Sequence, residues 1–232
     1  MARGSLSEGG RRKQAKGGKG KGGKAKKAGA KGKGADGNRG REQEIIDAAI
    51  DIFHAKGYAA TSVDDVAASV GILKGSLYYY MDSKEDLLRR IVEDVHSDVE
   101  EIMQEAVGRT DLPPLERLAR YIEIQVDYNV RNIRRVRVYY HDYEQLSPER
   151  LEKVRKSRRT NEQLIVDIVK QAKEAGEVPA GLNERLATKT AFATIIWMYT
   201  WYKPGGSVSG KDLGRFCAEF VVNGLRGAGA SG

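Results

Sequence analysis

The chain is poor in the residues that build disulfide-bonded, metal-binding or membrane-spanning proteins. It has one cysteine, Cys217, and three histidines among 232 residues. A single cysteine excludes an internal disulfide and fits a reducing compartment, and so few cysteine and histidine ligands argue against a metal site. No apolar run approaches the roughly 20 residues that cross a bilayer, and no hydrophobic segment follows the basic N-terminus as in a secretory signal. We therefore expect a cytoplasmic protein with no cofactor, no metal and no membrane contact.

Positive charge is concentrated at the start of the chain. Residues 1–41 hold 14 of the 40 Lys/Arg residues and 2 of the 32 Asp/Glu residues, so this stretch carries +12 and the remainder −4. It also holds 13 of the 27 glycines. Because it has too few apolar residues to offset its ordering entropy, we predict a disordered basic tail over residues 1–40. Such a tail either keeps the protein in solution or condenses on nucleic-acid phosphates.

Residues 61–88 predict two short helices joined by a tight turn, followed by the start of a long helix. Ser62 is placed to cap the first short helix, with Asp65 three positions later as its reciprocal partner. Gly71 supplies the positive φ that a sharp turn requires. This is the pattern of a helix-turn-helix.

The second short helix, residues 74–81, has the composition of a helix that enters a DNA groove. Leu77 and Met81 lie one turn apart and face inward, so the remaining lysine, serine and tyrosine side chains face outward. Such side chains contact phosphates and base edges. The predicted DNA contacts, including flanking positions, are Thr61, Ser62, Lys74, Gly75, Ser76, Tyr78, Tyr79, Tyr80 and Lys84.

Residues 43–88 resemble the DNA-binding domain of the TetR family of transcriptional regulators. The motifs that carry the resemblance are AKGYAATSV, GSLYYYM and SKEDLL. Two positions depart from the family pattern, because Leu73 replaces a capping Ser or Thr and Met81 replaces Phe. The resemblance implies an all-α fold, in which an N-terminal three-helix helix-turn-helix domain (residues 41–88) is joined by a long helix to an α-helical ligand-binding and dimerisation domain (residues 89–228).

Helical periodicity extends along the rest of the chain, with no convincing strand pattern. The predicted helices span residues 41–56, 84–107, 114–130, 131–146, 148–176, 183–203 and 209–226. The last has an apolar stripe that we expect to be buried against a second subunit, with Leu213, Phe216, Phe220 and Val221 at the interface. The resemblance implies the same, because family members dimerise through their final two helices, and a two-fold symmetric dimer binds a palindromic DNA operator.

Aromatic residues are concentrated in the C-terminal domain and predict an effector pocket lined by Tyr121, Tyr128, Tyr139, Tyr140, Trp197 and Trp201. Basic residues that would favour an anionic ligand occur at Arg131, Arg134, Arg135, Arg137, Arg155, Lys156, Arg158 and Arg159. The alternative is that the aromatic residues form plain core and the charges a solvated face. The stretches WYKPGG and GILKGSLY resemble a TetR subgroup that represses lipid and steroid catabolism and is implied to respond to acyl-coenzyme A thioesters.

Enzymatic motifs are incomplete, so no catalytic residue is assigned. The sequence GGSVSGKD at residues 205–212 approaches a phosphate-binding loop, but Asp212 occupies the position that needs Ser or Thr. Glu93 and His96 have metal-ligand spacing without the second pair that a carboxylate-bridged site requires. No G-x-S-x-G motif is present.

We therefore predict a ligand-responsive transcriptional repressor that binds a palindromic double-stranded DNA operator as a homodimer and is released by a small hydrophobic effector, with an acyl-coenzyme A thioester as the candidate. It would associate with the bacterial nucleoid when bound to DNA. The alternative is a sequence-tolerant architectural DNA-binding protein whose affinity comes from the basic tail.

Overall fold

A computed structural model describes residues 32–228, with side chains from residue 38 onward. This part of the chain is helical and contains no strand. The helices are α1 (Gly32–Lys56), α2 (Val63–Ser69), α3 (Lys74–Leu77), α4 (Lys84–Val107), α5 (Pro114–Arg131), α6 (Ile133–Asp142), α7 (Pro148–Glu174), α8 (Glu184–Ile196) and α9 (Gly210–Gly227). Two 3-10 turns, Tyr143–Gln145 and Trp197–Thr200, follow α6 and α8. None of the described helices has both the length and the apolar character that crossing a bilayer requires.

Residues 41–88, which we call the head, share their hydrophobic core with the rest of the molecule, the body. The predicted anchors Leu77 and Met81 are buried in this core. It also contains Val138 and Tyr139 from α6 and Val154 from α7. The head therefore rests on body helices through shared packing and is not a separate unit on a linker.

A second core fills the body, where α5 lies between α4, α7 and α9. Two glycines of α9 lie close to α5, Gly214 against its backbone and Gly210 against its side chains. A Cβ atom at Gly214 would lie 2.8 Å from the carbonyl oxygen of Glu123, and one at Gly210 would lie 2.9 Å from Asp127 Oδ1. The spacing between these helices therefore requires residues without a side chain.

Four helix boundaries differ from the sequence-based prediction. The first helix begins at Gly32 and not at residue 41, because extending a helix that is already packed costs less than nucleating one. The predicted disorder of residues 1–31 lies outside the described residues. The recognition helix α3 ends at Leu77, four residues early, because the amides of Tyr79 and Tyr80 bond three residues back and turn the chain towards α4.

The other two differences lie in the body and have a common cause. The predicted helices over residues 131–146 and 183–203 end at Asp142 and Ile196 and continue as 3-10 turns. Each is followed by an X-Pro pair, at Pro148 and Pro204, and the residue before a proline disfavours helical backbone.

Candidate DNA-binding surface and effector cavity

Residues 71–80, which comprise the turn before α3, α3 itself and the turn after it and which we call the recognition turn, present the most exposed apolar side chains of the head. Leu73 and Tyr79 are 81% and 89% exposed, and Tyr78 is also exposed. Gly71 has a φ of 69°, in the left-handed region that the turn requires, and buried Leu77 anchors α3 from inside. Exposed large side chains on a rigidly anchored turn are suited to contact with a partner surface.

The predicted capping of α2 is confirmed. Ser62 Oγ accepts a hydrogen bond from the Asp65 amide at 3.1 Å, and the Asp65 carboxylate accepts one from the Ser62 amide at 2.7 Å. The Lys56 ammonium, 2.7 Å from Asp65, and these Ser62 donors hold the pKa of Asp65 far below its usual value. Capping fixes the orientation of α2 beside the recognition turn.

Among the predicted DNA contacts, Ser62, Lys74, Gly75, Tyr78 and Tyr79 lie on the exposed surface. Lys74 Nζ pairs with Asp64 at 2.8 Å, and this carboxylate raises the pKa of Lys74. A Cβ atom at Gly75 would meet no atom within 4 Å, so this position is open to an approaching partner.

Ser76 and Tyr80, also predicted as contacts, are half-buried. Tyr80 packs against the head core, so only part of its ring remains accessible. Both belong to the recognition turn and stay in the proposed contact set.

Two predicted phosphate contacts, Thr61 and Lys84, are corrected by the structure. Thr61 is buried, and its hydroxyl donates to the Gly57 carbonyl at 2.8 Å. Lys84 Nζ donates to the carbonyls of Tyr58 and Thr61 at 2.9 and 2.8 Å and lies over the Tyr58 ring. Both side chains satisfy carbonyl groups of the loop between α1 and α2, because backbone acceptors there have no helical partners.

Leu73 is an exposed residue that the sequence-based prediction missed. It occupies the N-cap position of α3, where its side chain makes no capping hydrogen bond. The available signal was an apolar side chain at a position that normally carries a polar cap. An exposed Leu in the recognition turn is suited to contact with a thymine methyl group.

The body contains a cavity of about 650 Å³ between α4, α5, α6, α7 and α8. Four of the six predicted pocket residues line it, namely Tyr121, Tyr139, Tyr140 and Trp197. The other two do not. Tyr128 is buried and donates its hydroxyl proton to Asp98 at 2.8 Å, and Trp201 is exposed outside the cavity.

Arg158 and Lys189 provide positive charge at the cavity wall, whereas most of the predicted basic cluster does not. The Arg158 guanidinium lies 5.6 and 5.0 Å from the ring centres of Tyr140 and Tyr143. Among the described residues, no carboxylate lies within 4.0 Å of it, whereas Lys189 pairs with Glu162 at 3.0 Å. The predicted cluster is corrected because α-helical spacing distributes its other members over surfaces that do not line the cavity.

Burial controls the protonation of the cavity wall. It raises the pKa of Tyr140 to about 12, although the Arg158 charge opposes this shift, and it raises the pKa values of Tyr121 and Tyr139 further. Desolvation, aided by the Arg158 charge, lowers the pKa of His96 to about 4. At neutral pH the tyrosines are neutral donors and His96 is uncharged, so the positive charge at the cavity comes from Arg158 and Lys189.

Tyr139 connects the cavity with the head. It lines the cavity, and it is also buried in the core shared by the head and the body. Its ring packs edge-on against His96 of α4 at 5.2 Å between centroids. In the same helix, Arg134 pairs with Asp51 of α1 at 2.8 Å. A change in the cavity that moves α6 therefore acts directly on α1.

A second set of exposed large apolar side chains lies on α8, α9 and the segment between them. We call this group the apolar face. It comprises Leu186, Trp197, Trp201, Val208, Phe216 and Phe220. Phe216 and Phe220 are each 64% exposed and stack with their centroids 6.2 Å apart.

The predicted interface set on α9 divides between two sides of the helix. Leu213 and Val221 are buried in the body core of their own subunit, as predicted for burial, and Val221 also lines the groove between α8 and α9; their contact with a partner stays a prediction. Phe216 and Phe220 remain on the outer side. The apolar stripe of the sequence spans both sides because it is too wide for a single interface.

Comparisons with known proteins cover both parts of the chain. A family described as "Bacterial regulatory proteins, tetR family" matches residues 45–91, and one described as "Tetracyclin repressor-like, C-terminal domain" matches residues 111–225. HTH-type transcriptional repressor KstR2 of Rhodococcus jostii (strain RHA1) is 29% identical over 196 residues, or 82% of this chain and 93% of that protein.

Two solved structures are similar over most of the molecule. The ketosteroid transcriptional regulator KstR2 of Mycobacterium tuberculosis has a TM-score of 0.76 and 26% identity, covering 80% of this chain and 95% of the other. A TetR/AcrR family regulator from Thermobifida fusca YX-ER1 has a TM-score of 0.62 and 30% identity, covering 81% and 99%. The architectural alternative gains no support from these regulators. The chain, with its anchored helix-turn-helix, its body cavity and these relatives, belongs to the TetR family of transcriptional regulators.

Proposed function

We propose that the protein is a homodimeric repressor that binds a palindromic operator and releases it when an amphipathic acyl compound, such as an acyl-coenzyme A thioester, enters the cavity. The observation that carries the proposal is the position of Tyr139, which belongs at once to the cavity wall and to the core under the head. A ligand that displaces this ring changes the support of the DNA-binding domain.

The operator would be recognised by the recognition turn. Tyr78, Tyr79 and Leu73 supply apolar and hydroxyl contacts to base edges, and Lys74 supplies a phosphate contact. One head covers one half-site. Two heads held roughly 34–36 Å apart, one turn of DNA, would bind successive major grooves.

The apolar face would form the dimer interface. Phe216 and Phe220 stack in water on α9, and Leu186 and Phe220 line the same groove between α8 and α9; exposed apolar groups of this kind mark interaction surfaces. A two-fold axis through this face pairs each α8–α9 unit with its copy, and the symmetry of the protein then requires a palindromic operator.

The chemistry of the cavity supports an amphipathic effector. Its inner wall is built from Tyr121, Tyr139 and Ile195, which are buried, while Arg158 and Lys189 place cationic groups at a less buried wall. An acyl thioester matches this distribution, because its acyl part is apolar and its phosphates are anionic. The relative described as a ketosteroid transcriptional regulator agrees with a ligand built on an apolar skeleton.

The direct test is operator binding by fluorescence anisotropy, titrated with fatty, aromatic and steroid-derived acids and with their coenzyme A thioesters. We expect at least one thioester to weaken operator affinity by roughly 5–150-fold, the usual range of allosteric coupling. Free coenzyme A, which carries the same phosphates without an acyl group, is the matched control. If the panel changes neither operator affinity nor the fluorescence of Trp197 at the cavity wall, the effector proposal is wrong.

A further inference from the structure

Gln125 on α5 is a buried polar side chain whose amide oxygen accepts no hydrogen bond from any described residue. The residue is 4% exposed and lines the cavity in the same helix as Tyr121. A buried acceptor without a donor destabilises the folded state, and such groups are few in native proteins. This acceptor is covered, but its residue forms part of the cavity wall.

The hydrogen bonds around Gln125 determine which of its two terminal atoms is unpaired. The Asn129 amide nitrogen donates to the backbone carbonyl of Ile195 at 3.2 Å, and a carbonyl only accepts. Asn129 Oδ1 must therefore face Gln125, where it accepts from Nε2 at 2.9 Å. Turning the Gln125 amide over would set two oxygens against each other. The unpaired atom is therefore Oε1.

Two hydroxyl groups that line the cavity with Gln125 do not compete for this acceptor. The hydroxyls of Thr190 and Thr194 donate to carbonyl groups of their own helix, at 3.0 and 3.1 Å. The terminal torsion of a glutamine is soft, so a small rotation presents Oε1 to a ligand while Nε2 keeps its bond to Asn129.

An acceptor selects the chemistry of the ligand group that meets it. Oε1 repels carboxylate and phosphate oxygens and attracts a neutral O–H donor. The anionic part of an effector belongs near Arg158 and Lys189, on α7 and α8, so the group at Gln125 belongs to the apolar part.

We propose that Gln125 selects effectors that carry a hydroxyl group on their apolar skeleton, with Oε1 accepting the hydroxyl proton. This inference rests on the proposed function of the cavity as the effector site. It adds that a hydroxylated acyl or ring compound is the preferred ligand class.

The test compares two isomers of the same composition, decan-1-ol and methyl nonyl ether, of which only the alcohol donates a hydrogen bond. Their affinities for the full chain are measured by calorimetry and by the fluorescence of Trp197. Gln125→Met removes the acceptor at nearly constant volume, and Gln125→Leu serves the same purpose if that variant does not fold. We expect the alcohol-to-ether affinity ratio of the wild type to exceed that of the variant by about tenfold.

Thr188→Val is the matched control, because Thr188 Oγ1 is also buried without a partner but does not line the cavity. This variant should keep the wild-type affinity ratio. Equal ratios in the wild type and Gln125→Met would overturn the inference, and so would failure of both isomers to bind the wild type. A ratio that depends on Gln125, together with acids and thioesters that leave the operator bound, would instead refute the proposed function alone.

Discussion

At the scale of single residues, Tyr79 is the side chain we expect to contribute most to operator recognition. Its side chain is 89% exposed, so the ring contributes little to the stability of the folded state. Tyr79→Ala should weaken operator binding by about 1–3 kcal/mol and relax discrimination between operator variants. Fluorescence anisotropy with matched and mutated operators measures both effects. An unchanged affinity would remove Tyr79 from the DNA contacts.

Lys74 and Lys84, both predicted as DNA contacts, should affect different properties of the protein. Lys84→Met leaves the carbonyls of Tyr58 and Thr61 without their donor, so we expect a loss of about 1–3 kcal/mol in unfolding free energy and an unchanged salt dependence of DNA binding. Lys74→Met, the matched control on the exposed surface, should instead reduce the slope of log affinity against log salt by about 1.

Denaturant unfolding and DNA titration over a range of salt concentrations separate the two lysine variants. If Lys84→Met lowers the salt slope at unchanged stability, the original assignment of Lys84 to a phosphate is correct and its role as a clamp on the loop is wrong.

Spacing along the sequence predicted some side-chain contacts in the head and could not predict others. The capping pair Ser62 and Asp65 is separated by three positions, so the sequence alone was sufficient. Lys84 reaches a carbonyl 26 positions away, and this contact depends on how α4 packs beside α1. Leu73 was missed because exposure depends on which partners the fold brings near, and no described residue covers it.

At the scale of helices, the distance between α5 and α9 depends on a glycine. Gly214→Ala would place a methyl group 2.8 Å from the backbone carbonyl of Glu123, so the helices must separate. We expect a destabilisation of about 1–3 kcal/mol. Gly40→Ala, within α1, meets no atom within 4 Å and should instead stabilise by about 0.5–1 kcal/mol through helix propensity. Thermal unfolding of the two variants gives the comparison, and shifts of the same sign would contradict this account of the packing.

The sequence predicted the helices well where apolar residues recur at helical spacing, but it predicted the helix ends less accurately. The long connecting helix α4 spans Lys84–Val107, as predicted, because Ser83 caps it and an apolar stripe continues along it. The pocket set was correct only in part. Tyr128 and Trp201 have the same aromatic character as Tyr139, but the direction of each side chain follows from tertiary packing that periodicity does not determine.

At the scale of the whole molecule, operator binding should require dimerisation, whereas dimerisation should not require operator binding, and one apolar position in each surface tests this. Phe220→Asp places a charge in the apolar face, where pairing with a second copy would bury it unpaired. Light scattering should then show a monomer or an aggregate, with operator binding lost. Leu73→Asp, in the head, is the matched control, and this variant should remain a dimer that fails to bind the operator. A stable dimer of Phe220→Asp that binds DNA would rule out the proposed interface.

We expect effector binding and operator binding to weaken each other through Tyr139, although the two sites are separate. An effector that lowers operator affinity by a given factor must itself bind the DNA complex more weakly by the same factor. Tyr139→Leu keeps an apolar side chain in the core of the head but removes the ring that contacts His96 across the cavity wall. The variant should still bind the operator and should still bind the effector, but each ligand should change the affinity for the other less than in the wild type.

The most direct measurement is therefore operator affinity with and without a saturating effector, in the wild type and in Tyr139→Leu. We expect a coupling free energy of roughly 1–3 kcal/mol in the wild type and less than half of it in the variant, at similar effector affinity. Full release of the operator by Tyr139→Leu would contradict the account, because the signal would then reach the head by another route.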